Sequence, residues 1–82
     1  MSEAERQAAT RQLDARHLAC PLPVLRARKL LQGMAAGARL EVLATDPAAR
    51  RDFPDFAETS GHLLLEASEP EPGLFRFLLE RC

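Results

Sequence analysis

Two prolines stand within the segment Cys20-Pro21-Leu22-Pro23, directly before the strongest helical pattern of the chain. Proline has no backbone N–H and fixes its own φ, so it disrupts a helix interior but is tolerated in the first turn, where that donor has no partner. The segment therefore predicts a helix start. With Cys20 as the N-cap residue, Pro21 takes the first helical position and Pro23 the third.

The residues after this segment follow the period of an amphipathic helix. Apolar side chains recur at three- and four-residue steps and share one face, while basic side chains occupy the other. The apolar set is Val24, Ala27, Leu30, Leu31 and Met34, and the basic set is Arg26, Arg28 and Lys29. Gly33 and Gly37 are stop signals, so we predict a first helix over residues 21–34.

Five further segments have the length and composition of strands or of a turn between strands. We predict a short edge strand at 11–15 and a second strand at 38–45, where apolar and polar residues alternate. The apolar run at 62–68 and the alternating run at 74–82 predict a hairpin. The residues 69–73 between them contain two prolines and a glycine, which are typical of a turn.

The segment between the second and third strands predicts helical structure in two pieces. Asp46-Pro47 is typical of a helix start, with a capping carboxylate followed by proline at the first position. Pro54 then interrupts the pattern, so we expect a short turn, a break and a second helical piece. That piece should end at Gly61.

The predicted order is strand, helix, strand, helix, strand, strand. A strand–helix–strand crossover makes the first two strands parallel, and a short connection makes the last two antiparallel. Two helices on one face of a four-stranded mixed sheet give an α+β fold, the two-layer α/β sandwich with βαβαββ order. We expect one domain over residues 11–82, with residues 1–10 as a flexible N-terminal segment.

Composition restricts the function further. A domain within 82 residues cannot enclose a large substrate cavity, so chemistry should lie at the surface or at an interface with a partner. A net charge of -1 argues against strong nonspecific nucleic-acid binding by the whole domain. Two cysteines are too few for a disulfide framework or a CxxC zinc site, and free thiols favour the cytoplasm. We predict no metal, no cofactor, no signal peptide and no membrane span.

Cys20 is the candidate reactive residue. A helix N-terminus carries partial positive charge, which lowers the pKa of a cysteine placed there, and basic side chains one to two turns away add to the field. We therefore expect the pKa of Cys20 to be lowered. A small buried cysteine with a structural role is the competing interpretation.

No complete catalytic set accompanies this thiol. A cysteine hydrolase needs a base, usually histidine. His17 is too close along an extended segment to face the thiol, and His62 is a candidate only if the start of its strand comes near Cys20. A reactive cysteine without a base suggests a carrier that accepts a group from one enzyme and hands it to another.

The segment LDARHLACPLPVLRARKLL resembles the signature of the TusA/SirA-like sulfur-carrier family: Leu-Asp, a short spacer, Cys-Pro-x-Pro and a helix with basic flanks. VLATDPAARRDFPDF and SGHLLLE resemble later segments of the family, so the resemblance spans about residues 12–80. It implies a fold similar to the C-terminal domain of translation initiation factor three, and a sulfurtransferase-type carrier with a persulfide on Cys20. It also implies a cysteine desulfurase or rhodanese-like donor, and acceptors in tRNA thiolation, molybdenum-cofactor enzymes or sulfur oxidation.

Three positions depart from the family pattern. Leu22 stands between the prolines, where a tRNA-thiolation member carries an acidic residue. Ala19 stands where a polar or basic residue is common, and His17 where glycine is usual. The thiol chemistry does not involve these side chains, whereas a docked partner would contact them. The chain could therefore serve another acceptor than its relatives do.

Two other functions stay open at this point. An RNA- or protein-binding module would use a basic patch near the thiol, for which the candidate contacts are Leu22, Arg26, Arg28, Lys29, Arg50 and Arg51. A thiol redox protein would pair Cys20 with Cys82, although their spacing offers no support. For the carrier we expect a monomer that acts with a sulfur donor and a downstream acceptor protein, and that contacts tRNA only through a partner.

Overall fold

The computed structural model describes residues 10–82. Its elements, in chain order, are β1 (Thr10–Ala15), α1 (Leu22–Gln32), β2 (Arg39–Ala44), α2 (Ala49–Ser60), β3 (Leu63–Glu71) and β4 (Leu74–Glu80). This order confirms the predicted βαβαββ arrangement. The flexible segment predicted for residues 1–10 lies outside the described residues, except for Thr10, which begins β1.

The four strands form one mixed sheet in the order β1-β2-β4-β3. β1 and β2 are parallel, as a helical crossover requires, and β4 is antiparallel to both of its neighbours. The register places Ala44, at the end of β2, beside Phe75, and Arg39, at the start of β2, beside Glu80. The loops that follow β1 and β2 therefore leave from the same end of the sheet, and the chain's C-terminus lies at the other end.

Both helices contribute to one core against the alternating inward side chains of the sheet. The buried strand residues are Ala15, Leu40, Val42, Ala44, Phe75, Phe77 and Leu79, and the buried helix residues are Pro23, Ala27, Leu31, Ala49, Phe53 and Ala57. Phe53 of α2 stacks on Phe77 of β4 with ring centroids 4.6 Å apart. The predicted apolar face of the first helix and the predicted alternation of the last strand are both confirmed.

The first helix begins two residues after Cys20, one later than predicted. Pro21 is the N-cap residue, Leu22 is the first helical residue and Pro23 the second. Both prolines still lie at positions where a missing N–H removes no intrahelical hydrogen bond. The physical reason given for the helix start therefore applies, although the helix begins one residue later. The helix ends at Gln32 rather than at residue 34, with Gly33 as its C-cap.

The predicted break at Pro54 is wrong, because α2 runs through this proline without interruption. Proline removes one N–H donor from the helix, but Pro54 is exposed, so its ring contacts solvent rather than the core. Ala49, Phe53 and Ala57 are buried along one face, and this packing holds the two turns in line. The helix ends at Gly61, which has a φ of 82°, as predicted.

The hairpin turn is shorter than predicted, because β3 continues through Glu71. Pro70 lies within this strand, and β3 is an edge strand, where proline is tolerated since one row of N–H groups faces no partner. The pairing with β4 is irregular between Ser68 and Glu71. Gly73, with a φ of 82°, closes the turn.

Substitution of Phe53 by alanine tests the core contact between α2 and the sheet. Phe53 is fully buried, so we expect Phe53→Ala to lower the free energy of unfolding by about 3–5 kcal/mol, as urea denaturation would measure. Leu63→Ala is the control, since that side chain is 53% exposed and its loss should change the free energy by less than about 0.5 kcal/mol. Equal effects of the two substitutions would contradict this packing.

The turn after β1 contains a backbone conformation that favours glycine. His17 has a φ of 67°, in the left-handed region where a Cβ atom is crowded. Its backbone N–H donates a hydrogen bond to Oγ1 of Thr45 at 2.8 Å, so the main chain, rather than the imidazole, anchors this conformation. Glycine would adopt this angle without the crowding, because it has no Cβ atom.

Glycine at position 17 should therefore stabilise the protein. We expect His17→Gly to raise the free energy of unfolding by about 0.5–1 kcal/mol. This gain is the backbone strain relieved in the folded state minus the stabilisation that the unfolded chain gains from the greater conformational entropy of glycine. His17→Ala retains the Cβ atom and should give no such gain. Urea denaturation of both variants measures the difference, and a glycine variant less stable than the alanine variant would be incompatible with a strained His17.

Candidate functional site

Cys20 lies in the tight turn that joins β1 to α1. The N–H of Leu22 donates to the carbonyl of Ala19 at 3.0 Å, and the N–H of Leu25 donates to the carbonyl of Pro21 at 3.0 Å. The Cys20–Pro21 peptide bond is cis. The cysteine is half-buried and contacts the core, while Pro23 below it is fully buried. The thiol is thus held on a rigid turn at the edge of the core.

Asp46 joins this turn to the start of α2. Its Oδ2 accepts the backbone N–H of Cys20 at 2.9 Å, and its Oδ1 accepts the backbone N–H of Ala48 at 2.9 Å. These two hydrogen bonds lower the pKa of Asp46, because they stabilise the charged carboxylate. The prediction of Asp46 as the N-cap residue is wrong, because α2 begins at Ala49 with Ala48 as its N-cap and no side-chain cap. Asp46 instead closes the turn that precedes the helix and joins this turn to Cys20.

The thiol is surrounded by negative rather than positive charge. Burial, a hydrogen bond with the Asp52 side chain and the charges of Asp52 and Asp46 raise the pKa of Cys20 to about 12. The expectation of a lowered pKa is therefore wrong. Cys20 precedes the N-cap residue instead of occupying that position, and two carboxylates outweigh the partial charge of the helix end.

The predicted contact residues flank this turn on both helices. Leu22 is 45% exposed in the first turn of α1, and the basic side chains Arg26, Arg28 and Lys29 follow it on the exposed face. Arg50 and Arg51 are exposed in the first turn of α2. Among residues 10–82, none of these five basic side chains forms an ion pair.

A shallow cleft of about 480 Å³ opens at the start of α2, beside the thiol-bearing turn. Its lining residues are Pro47, Ala48, Arg50 and Arg51. The Arg50 guanidinium also lies 5.8 Å from the centre of the Phe75 ring, a distance at which a cation and an aromatic face attract each other. The cleft is therefore cationic, whereas the groups in contact with the thiol are anionic.

Cys82 and His62 lie at the opposite end of the sheet from Cys20. The N–H of Cys82 donates to Nδ1 of His62 at 3.1 Å. Cys82 follows β4 at the end where Glu80 pairs with Arg39, and Cys20 is tied to Asp46, beyond the other end of β2. Six strand residues at about 3.3 Å each separate the two ends, whereas a disulfide requires Cα atoms within about 7 Å.

This separation excludes two of the sequence-based alternatives. Cys20 and Cys82 cannot form an intramolecular disulfide in this fold, and both are free thiols. His62 cannot act as a base on Cys20.

The described residues, 10–82, contain no group of His, Cys, Asp and Glu side chains that could hold a metal ion, and none of their helices has the length and apolar character needed to cross a membrane.

Asp52 is the site residue that the sequence did not identify as such. An aspartate in the first turn of a helix is most simply a favourable charge at the helix N-terminus, and α2 does place it there. Its effect on the pKa of Cys20 depends on the packing of α2 beside α1, which relates residues 32 positions apart in the chain. No local pattern carries that information.

Comparison with known proteins agrees with this fold. Residues 11–81 match the family model described as "Sulfurtransferase TusA". The chain is 49% identical over 70 residues to a sulfur carrier protein TusA from Allochromatium vinosum, covering 85% of this chain and 91% of that protein. It is 42% identical to a sulfur carrier protein TusA from Pseudomonas putida, covering 84% of this chain and 85% of the relative.

A solved structure shares the architecture. The crystal structure of a SirA-like protein from Desulfitobacterium hafniense superposes with a TM-score of 0.77 at 30% sequence identity, covering 85% of this chain and 95% of that one. The family model, the relatives and the solved structure each cover more than four-fifths of the chain, including the turn with Cys20 and both helices. The chain therefore belongs to the TusA sulfurtransferase family.

Proposed function

We propose that this protein is a sulfur-relay protein that carries sulfur as a persulfide on Cys20. The observation that supports this most directly is a thiol, half-buried on a hydrogen-bonded turn, with His62 at the opposite end of the sheet and without a metal site among residues 10–82. Such a thiol lacks the base that an independent cysteine enzyme needs. It is suited to receive a group from a partner enzyme and to pass that group on.

The transfer conserves atoms and electrons without an external oxidant. The Cys20 sulfur attacks the outer sulfur of a persulfide on the donor, so that a new S–S bond forms on Cys20 while the S–S bond of the donor breaks. The electron pair leaves with the inner sulfur of the donor, which takes up the proton that Cys20 gives up. Delivery to a thiol of the acceptor repeats this exchange: the acceptor sulfur attacks the outer sulfur on Cys20, the S–S bond breaks, and Cys20 leaves as the thiol.

We propose a cysteine desulfurase or a rhodanese-like protein as the donor, and a downstream protein of sulfur metabolism as the acceptor. Thiolation of tRNA and assembly of molybdenum-cofactor enzymes are the processes in which such an acceptor would work. The free thiols Cys20 and Cys82 support a reducing compartment, the cytoplasm, as the site of this transfer.

We further propose that partners dock on the surface around the turn. Exposed Leu22 and Leu25 supply apolar contact area on α1, at 45% and 50% exposure. Arg28 on α1 and Arg51 on α2 supply positive charge on either side. Because Leu22 is apolar, the donor or acceptor needs no basic group opposite this residue. A partner with acidic side chains at the rim of its interface, opposite Arg28 and Arg51, fits this surface best.

Sulfur loading tests the proposed function directly. After incubation with a cysteine desulfurase and cysteine, we expect the intact mass to increase by one sulfur atom, located on Cys20 by peptide mapping. Cys82→Ser, the matched control, should load as the unmodified protein does, and Cys20→Ser should not load. A Cys20→Ser protein that still gains sulfur, or sulfur found only on Cys82, would refute the assignment.

Charge reversal tests the docking surface. We expect Arg28→Glu and Arg51→Glu each to slow loading from the desulfurase by about tenfold at low salt, because charges at the rim of an interface chiefly set the association rate. Arg11→Glu is the control: Arg11 is exposed but pairs with Leu40 near the opposite end of the sheet. Equal slowing by all three reversals would show that net charge, rather than this surface, controls the rate.

RNA binding by the same basic surface is the second candidate function. It is favoured by five cationic side chains without ion-pair partners among residues 10–82, at Arg26, Arg28, Lys29, Arg50 and Arg51. Salt-dependent binding of tRNA that survives Cys20→Ser would support it. The net charge of -1 makes the persulfide carrier the better-supported function.

A further inference from the structure

The backbone N–H of Cys20 is bound by a carboxylate from another loop. The two prolines of the turn have no N–H, and the N–H of Leu22 donates within the turn, to the carbonyl of Ala19 at 3.0 Å. The N–H of Cys20 instead donates to Oδ2 of Asp46 at 2.9 Å. This bond therefore ties the cysteine itself to the loop between β2 and α2.

The anchored backbone leaves the sulfur little freedom. One rotatable bond, χ1, separates Sγ from the backbone of Cys20. The hydrogen bond to Asp46 holds the backbone before the Cα atom, and Pro21, whose ring fixes its own φ, follows after it. Pro23 is fully buried and fixes the end of the turn to the core. Loss of the bond to Asp46 would thus free the backbone on one side of Cys20.

We propose that Asp46 is a positioning residue that holds Cys20 in the orientation needed to attack a donor persulfide. The proposal rests on the proposed function, because it concerns the same transfer. In that step the sulfur of Cys20 forms a bond to the outer sulfur of the donor, and the inner sulfur leaves with the electron pair and takes up the proton of Cys20. The reacting atoms must approach within about 3–3.5 Å, so a small displacement of the turn slows this step.

A second hydrogen bond joins the same two loops without involving the cysteine. The N–H of His17 donates to Oγ1 of Thr45 at 2.8 Å, and this bond does not depend on Asp46. The loop after β1 therefore keeps one attachment when the carboxylate is removed. What is lost is the attachment of Cys20 itself, so the position of the sulfur can be tested separately from the docking of the loop.

Asp46→Ser removes the anchor of Cys20 and retains the turn before α2. In the native protein, Oδ1 of Asp46 accepts the N–H of Ala48, two residues on, at 2.9 Å. A serine hydroxyl accepts the same N–H in turns of this kind, but it is shorter and lacks the second oxygen that reaches Cys20. Asp46→Asn serves if the serine variant does not fold by circular dichroism, because its amide has one oxygen for Ala48 and an NH₂ donor in place of the other.

Single-turnover loading from a preloaded cysteine desulfurase measures the positioning role. In a Cys82→Ser background, Cys20 is the only thiol. With the desulfurase in excess, its concentration dependence gives a maximal loading rate and a half-saturating concentration. We expect Asp46→Ser to lower the maximal rate by about tenfold to a hundredfold, because a reacting atom misplaced by about 1 Å slows a step on this scale. The half-saturating concentration should change by less than about threefold, since the exposed docking side chains are retained.

Two controls separate positioning from accessibility and from a general effect on the loop. Asp14→Asn removes a carboxylate that accepts the N–H of Arg16 at 3.1 Å, near the start of the same loop, and should leave both loading constants unchanged. Alkylation of Cys20 by iodoacetamide needs no docked partner. It should not slow in Asp46→Ser, because the substitution removes a charge that raises the pKa of Cys20. Slower loading with undiminished alkylation identifies positioning.

The result that overturns the proposal is an unchanged maximal loading rate in a folded Asp46→Ser or Asp46→Asn protein. Equal falls in loading and alkylation would overturn it as well, because the thiol would then be inaccessible rather than misplaced. An equal fall in Asp14→Asn would show that the effect is not specific to the bond with Cys20. Failure of the proposed function has a different signature: the protein that retains Asp46 gains no sulfur on Cys20 from the desulfurase.

Discussion

The Asp46 carboxylate holds the site together, because its two oxygens accept N–H groups from two separate loops. One bond fixes Cys20 after β1, and the other fixes Ala48 at the start of α2. A carboxylate that accepts backbone N–H groups forms charge-assisted hydrogen bonds, which are stronger than neutral ones. The bridge is possible because β1 and β2 are parallel, so both loops leave the sheet at the same end.

Asp52, in the first turn of α2, also changes the electrostatics of the thiol. A cysteine near a helix start would ordinarily gain from the partial positive charge of that end. Here burial and two carboxylates have the larger effect and raise the pKa of Cys20 to about 12.

The same topology separates the two thiols. Cys82 binds His62 through its backbone N–H at the opposite end of the sheet, so neither residue can assist Cys20. The thiol-bearing end instead combines the exposed Leu22 with arginines on both helices. The half-buried carboxylates Asp46 and Asp52 raise the pKa of the thiol, whereas the leucine and arginine side chains around the turn are exposed.

Periodicity and turn chemistry determined the element order, the parallel crossover and the apolar face of α1, because these depend on residues near one another in sequence. Pro54 and Pro70 were misjudged for one reason: whether proline breaks an element depends on exposure and on strand position, which are tertiary properties. The proposal of Cys20 as the reactive residue came from its own motif. The sign of the electrostatic potential at the thiol depended on the tertiary packing of α2, because the charge of Asp52 acts on Cys20 through space and not along the chain.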